Sequence, residues 1–398
     1  MFLFWSLVAC VILSVMLHRN IVAVKQTNKL QKKNLLNSSL PIHHVYCYVI
    51  WCMVICCAIA LCSYLNLIAK ISLTTAFLFF FFFLIRFLSK KNFNSKQHLE
   101  TSTRRLLALT TAVGIIITIA IIVSIFFEAV KFFKVISLQE FIFGISWNPQ
   151  EAINAEQSVG SSSFGAVPVF VGTILITIIA MIVAIPLGVM GAIYLSFYCK
   201  SSARNLIKPV LEILAGIPTV VYGYFAVIVV APFLKNFFAM LNIDIASESA
   251  LTAGFVMGIM IIPFVLSLTD DALNSVSQSL KDGALALGST KSEMIRKVVI
   301  IAATPSIIAA VILAVSRAIG ETMIVAMAAG LVANLTLNPL SAVTTTTVQI
   351  VTLLTGDQEF NSPKTLAAFA LALALFVFTL ILNIVALSVI KKYKRKYG

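Results

Sequence analysis

Ala314-Val315-Ser316-Arg317-Ala318-Ile319-Gly320-Glu321-Thr322-Met323-Ile324-Val325 carries an arginine and a glutamate inside an apolar run reaching from Ala302 to Leu331. The length of that run predicts one bilayer-spanning helix. On a single helix, residues four apart share a face, so the Arg317 guanidinium and the Glu321 carboxylate are expected as neighbours. A charge at the bilayer centre costs about 2.5–3.5 kcal/mol on insertion scales, and it needs a partner or a watery cavity. Two readings follow for the pair: a contact on a substrate pathway, or a salt bridge that only sets helix packing. Ser316 and Thr322 flank it as weaker pathway candidates, since small hydroxylated residues in such helices also serve packing.

Outward from this stretch the chain repeats the pattern. Of 398 residues 60% are apolar and only 11% are charged, too few charges for the surface of a soluble domain of this length. Further apolar runs lie near 1–17, 45–65, 71–88, 106–127, 167–198, 210–233, 251–268 and 366–390, giving nine expected spans with the one at 302–331. The fold class is therefore an all-α polytopic membrane protein. The net charge of +14 suggests nucleic acid, but the basic residues sit in loops beside spans, where membrane orientation places them. With the N-terminus outside and the C-terminus inside, the outer segments hold only Lys70, Lys131, Lys134, Lys235 and Lys364, and Arg317 is intramembrane. Every other member of the 29 Lys and Arg falls on the inner side, as the positive-inside rule requires. The outer segments carry Glu128, Glu140, Glu151, Glu156, Asp244, Glu248, Asp357 and Glu359.

Composition shifts near residue 100, which separates a three-span N-terminal accessory segment (1–100) from a six-span core (101–398). Residues 1–100 suggest no function of their own. Five of the seven cysteines (Cys47, Cys52, Cys56, Cys57 and Cys62) crowd one apolar span without ligand spacing and read as small hydrophobes, so no metal site is expected. An intramembrane enzyme needs a nucleophile with a base, or a metal pair. The only histidines, His18, His43, His44 and His98, lie beside basic N-terminal loops, and no catalytic residues are assigned. Gly216 and Pro218 break the span at 210–233 as hinges or tolerated kinks, and Glu212 precedes them near its cytoplasmic start.

Between the spans at 251–268 and 302–331 lies Leu280-Lys281-Asp282-Gly283-Ala284-Leu285-Ala286-Leu287-Gly288-Ser289-Thr290-Lys291. Val276, Leu280, Ala284 and Leu287 recur at helical spacing, and Gly288 is suited to ending the helix. A short cytoplasmic helix of this kind docks into a groove on another protein or lies on the membrane surface. Gly283, Gly288, Lys291 and Ser292 echo a phosphate-binding loop, but Ser289 stands where that loop needs Lys, so ATP binding by this chain is not expected.

The placing of Asp282, Gly283, Ala284 and Gly288, with Val298 and Ile300 beyond, resembles the EAA loop of ABC-importer permeases. Asp replaces the usual Glu, Gly the first Ala, and Ile301 stands where Pro is common. Phe164-Gly165-Ala166-Val167-Pro168, Leu214-Ala215-Gly216-Ile217-Pro218-Thr219-Val220-Val221-Tyr222-Gly223, Leu251-Thr252-Ala253-Gly254 and Ile261-Ile262-Pro263-Phe264 look like the permeases of the phosphate-specific importer. Arg317-Ala318-Ile319-Gly320-Glu321-Thr322-Met323 resembles its C-type subunit, the PstC family, and the match runs over about residues 106–390. That resemblance implies a bacterial inner-membrane permease that pairs with an A-type permease to form a phosphate pathway. It implies an ATPase homodimer docked on the Asp282–Gly288 loop and a periplasmic phosphate-binding protein at the outer loops. The chain itself would bind no cofactor, ATP being hydrolysed by the partner chains. Arg offers a planar donor fork for phosphate oxygens, and Glu321 would neutralise it or accept the hydroxyl proton that sulfate lacks. Importers of sulfate or molybdate would use the same arginine chemistry.

Overall fold

The structure, a computed structural model, describes residues 95–149, 164–355 and 362–397. The three expected N-terminal spans fall within 1–94, outside the described residues. By its contacts the chain divides into two compact units, 1–121 and 122–398.

Six long apolar helical stretches appear among the described residues, one for each expected span of the core. In chain order the helices are α1 (Ser95–Phe133), α2 (Leu138–Phe143) and α3 (Val167–Ile193), then α4 (Ser201–Ala215), α5 (Thr219–Phe225) and α6 (Ala231–Ala239). They continue with α7 (Ala250–Asn274), α8 (Gln278–Ala286), α9 (Lys291–Met294), α10 (Ile300–Ile319), α11 (Met323–Ala328), α12 (Thr346–Leu354) and α13 (Pro363–Tyr397). Single π-helical turns extend α3 (Tyr194–Tyr198), join α5 to α6 (Ala226–Val230) and join α9 to α10 (Ile295–Val299). Trp147 and Phe164 form an isolated antiparallel bridge across the outer segment.

The centre of the second unit is the pairing of α3 with α7. A side chain at Gly254 or Gly258 of α7 would stand 2.7 Å from Ile179 Cβ or 2.8 Å from Val183 Cβ on α3. The relation reverses further along, where a Cβ at Gly188 or Gly191 of α3 would stand 2.7 Å from Val265 Cγ1 or 2.8 Å from Leu266 Cδ1 on α7. Each helix thus provides small seats for the other's branched side chains, the packing that holds helices together where lipid removes the hydrophobic drive. Three buried clusters, named by the orientation that the charge pattern predicts, fill this unit: a central one around Met257, Met260 and Ile261, an outer one around Phe132, Phe141 and Phe164, and an inner one around Leu273, Met294 and Val299.

Three expected boundaries are corrected. The stretch 302–331 is not one helix: α10 ends at Ile319, and the chain turns through Gly320–Thr322 before the short α11. Glu321 causes the break by taking backbone partners, since its Oε1 accepts from the N–H of Met323 (3.1 Å) and Ile324 (3.4 Å), two amides with no partner inside α11. Gly330, at φ +108°, then turns the chain again, with the Glu248 carboxylate 3.0 Å from where a Cβ would lie. The span expected at 210–233 instead begins at Thr219, because Gly216 closes α4 and Pro218 starts α5. Glu212 consequently belongs to α4, where it is exposed. The loop expected at 332–363 contains α12, whose Thr346 N–H is met by Thr173 Oγ1 of α3 at 3.0 Å. Ile324 and Val325 of α11 and Val348 of α12 all lie in the central cluster, so the segment between α10 and α13 folds back into the protein.

Candidate functional site

Arg317 sits in the last turn of α10, where a cation complements the helix dipole. Its guanidinium carbon stands 5.3 Å from the centre of the Phe264 ring on α7. That geometry is attractive because the ring face is electron-rich. The side chain is exposed and makes no hydrogen bond or ion pair among the described residues. It is therefore a presented cation, resting on the Phe264 ring, with its donor fork open.

Glu321 does not pair with it. The carboxylate, on a residue only 8% exposed, holds the start of α11 through Oε1. Its backbone carbonyl accepts from Thr347 Oγ1 at 2.7 Å, which ties the break to the turn entering α12. Thr322 Oγ1 reaches back to the Gly320 carbonyl at 3.5 Å, and Ser316 Oγ donates to Asn383 Oδ1 of α13 at 3.4 Å. The four residues thus cluster at one chain break, with Arg317 alone presenting unused donors. Tyr222 on α5 adds a hydroxyl that donates to the Leu214 carbonyl at 3.0 Å, bracing the Gly216–Pro218 corner.

The loop between α7 and α10 has the helical form expected of it. α8 covers Gln278–Ala286, and Gly288 lies at φ +84°, the left-handed turn that glycine adopts without strain. Ala284 is buried in the inner cluster, whereas Leu280, Leu285 and Leu287 are exposed. Asp282 accepts from Gln278 Nε2 at 2.9 Å, and beside it Gly283 has open space where a side chain would stand. Of the four residues at helical spacing, Val276 and Ala284 are buried, and Leu280 and Leu287 are exposed. α8 presents apolar side chains to the outside while Ala284 fastens it from behind.

One cluster escaped the reading of the sequence. Asp270, 1% exposed at the inner end of α7, accepts from Arg204 Nη2 (2.9 and 3.0 Å), Lys208 Nζ (3.1 Å) and Ser196 Oγ (2.7 Å). Lys208 also meets Asp271 at 3.0 Å, and this bond, helped by Asp270, holds its ammonium above the usual lysine value against the opposing effect of burial. α4 therefore turns its cations inward and leaves Leu206, Val210 and Ile213 exposed. The available signal was the spacing of Arg204 and Lys208, four apart on a helical segment, together with an acid doublet closing an apolar span.

At the outer end, a cavity of about 320 Å³ is lined by Trp147, Asn148, Leu331, Gln349, Thr352 and Lys364, among others. Trp147 Nε1 donates to Gln349 Oε1 at 2.9 Å, and Gln349 Nε2 donates to the Leu331 carbonyl at 2.7 Å, so one glutamine fastens the outer segment to the re-entering chain.

Residues 184–395 match the family described as binding-protein-dependent transport system inner membrane component. A probable ABC transporter permease protein, YqgH of Bacillus subtilis, is 31% identical over 73% of this chain and 92% of its own length. The phosphate transport system permease protein PstC of Mesorhizobium japonicum is 31% identical over 65% of this chain and 80% of its own. PstC of Haemophilus influenzae is 28% identical over 78% and 98%. Among solved structures, the methionine ABC transporter in inward-facing conformations matches with a TM-score of 0.42 and 14% identity, over 57% of this chain and 94% of that one.

Proposed function

The chain belongs to the PstC family of ABC permeases, multi-pass inner-membrane components of binding-protein-dependent transport systems, and from that membership we propose that it forms half of a phosphate pathway. The other half is an A-type permease. A periplasmic phosphate-binding protein delivers substrate to the outer segments, and an ATPase dimer docks on α8, contacting Asp282, Gly283 and the turn at Gly288. Catalysis of ATP hydrolysis belongs to that dimer, and this chain binds no cofactor. Residues 1–100 form an accessory segment outside the transport core.

The observation that carries this reading is the presented guanidinium of Arg317. An arginine in an apolar helix, exposed and with open donors, needs an anion, and a planar fork suits two phosphate oxygens at once. Its place at a break between α10 and α11, rather than in a continuous helix, supports the role, because irregular backbone at membrane depth is tolerated where it lines a cavity. Glu321 then has two tasks. Oε1 holds the turn that presents Arg317, and Oε2, without a hydrogen bond among the described residues, serves as counter-ion or proton acceptor. The Gly216–Pro218 corner serves as the hinge of the pathway wall.

Uptake of labelled phosphate by cells whose sole importer contains Arg317→Gln tests the reading. Uptake should vanish while the complex still assembles, and normal uptake would remove Arg317 from the pathway. Competition separates the oxyanions: excess phosphate should displace the label and excess sulfate should not.

A further inference from the structure

Three consecutive residues at the inner end of α3 each hold a different element. Ser196 donates to Asp270 on α7, Phe197 turns its ring toward Lys281 Nζ on α8 (5.6 Å to the ring centre), and Tyr198 receives Lys291 Nζ of α9 (5.1 Å). All three lie within the π-helical turn Tyr194–Tyr198, closed by the Cys199 N–H on the Tyr194 carbonyl at 2.9 Å. A π-turn carries an extra residue per turn and takes a smaller angular step between neighbours, so it fans adjacent side chains toward one side. Such single turns recur at functional positions in helices.

Lys281 carries the inference. It belongs to α8, yet it is only 9% exposed, while Leu280 and Asp282 on either side are exposed. Its ammonium makes no hydrogen bond or ion pair among the described residues, and the Phe197 ring is the partner it has. A lysine packed into the protein along its length and resting its ammonium on a ring resists withdrawal, because leaving gives up both the packing and the ring contact. Beyond Phe197 the route is continuous. Ser196 grips Asp270, Asp270 grips Arg204 and Lys208, and α4 leads through Gly216–Pro218 into α5.

We propose that Lys281 is a positioning residue for energy coupling. Its ammonium on Phe197 ties the docking helix to the π-turn, so displacement of α8 is passed to α3 and α4 instead of being absorbed in the loop. This rests on the transport reading above, with an ATPase seated on α8.

The test uses the whole complex, with ATP hydrolysed per phosphate transported as the readout. Lys281→Met keeps the stem and removes the charge, Phe197→Leu removes the ring and leaves α8 intact, and Lys281→Arg keeps the cation. Lys281→Met and Phe197→Leu should co-purify with the ATPase and hydrolyse ATP at about the wild-type rate, with uptake lowered about tenfold, the size of a typical coupling energy. Lys281→Arg should restore the ratio. An unchanged ratio in assembled Lys281→Met overturns the proposal, as does failure of both Lys281→Met and Phe197→Leu to assemble, which assigns the contact to assembly. If the wild-type chain co-purifies with no ATPase, the transport reading itself falls and this inference with it.

Discussion

Glu321 uses one carboxylate oxygen for two backbone N–H groups, and this allows its charge and its turn-holding to be separated by substitution. Glu321→Gln retains an acceptor oxygen, whereas Glu321→Ala leaves two amides bare. Glu321→Ala is expected to lower stability by about 1 kcal/mol, the usual loss when a capping acceptor is removed. Glu321→Gln should melt with the wild type in detergent and still take up phosphate poorly, because the negative charge is gone. Wild-type uptake in Glu321→Gln would confine the residue to the turn. Arg317 and Glu321 were legible in the sequence because charges are rare in apolar runs. Their separation was not, since Gly320 and a carboxylate that accepts backbone amides have the same composition inside a helix as at its end. Asp270 was passed over because its partners lie 62 and 66 residues away on α4, and the spacing of Arg204 and Lys208 does not tell which acid they meet.

Among the elements, α4 turns Arg204 and Lys208 inward beside Ile207 and Leu211, and leaves Leu206, Val210 and Ile213 exposed. Asp270 is what makes that arrangement favourable. Asp270→Asn removes the charge on which Arg204 and Lys208 converge. The direct loss is about 1–3 kcal/mol for charge-assisted hydrogen bonds. It falls toward the low end because the two cations, with side chains 30% and 33% exposed, regain water. α4 should loosen, and Cys199, half-buried just before it, should react faster with a maleimide when the other six cysteines have been replaced. An unchanged labelling rate would show that α4 is held by other contacts. The α3–α7 pair is less forgiving. Gly258→Leu drives a side chain into Val183 and toward the Ala180 carbonyl, and it is expected to cost about 1–3 kcal/mol and lower the yield of assembled protein. The long helices were readable from hydropathy alone. α11 and α12 were not, because six and nine residues fall below the length at which periodicity distinguishes a helix from a loop.

Across the whole molecule, the charge asymmetry predicts the orientation that the transport reading needs, with α8 and the tail at Lys391 and Lys392 on the cytoplasmic side and Lys131 outside. In a chain stripped of its native cysteines, Lys131→Cys should react with an impermeant reagent in intact cells. Lys392→Cys should react only after the cells are opened. The reverse pattern would invert the topology and place α8 where no ATPase reaches it.

The break after Ile319 also bears on biogenesis. The membrane-insertion machinery receives α10 as an apolar span whose arginine stands in its last turn, not as a longer span with two charges near its centre. A charge near a span end reaches the interface with its long side chain, which lowers the penalty of entering lipid. The segment that follows cannot enter lipid alone, because α11 and α12 are too short to cross it and would leave their unpaired end amides within the hydrocarbon. Those amides are met by Glu321 and by Thr173 of α3, a helix already made when α12 is synthesised. The segment beside Arg317 is thus laid down after α3, on a wall that must already be standing.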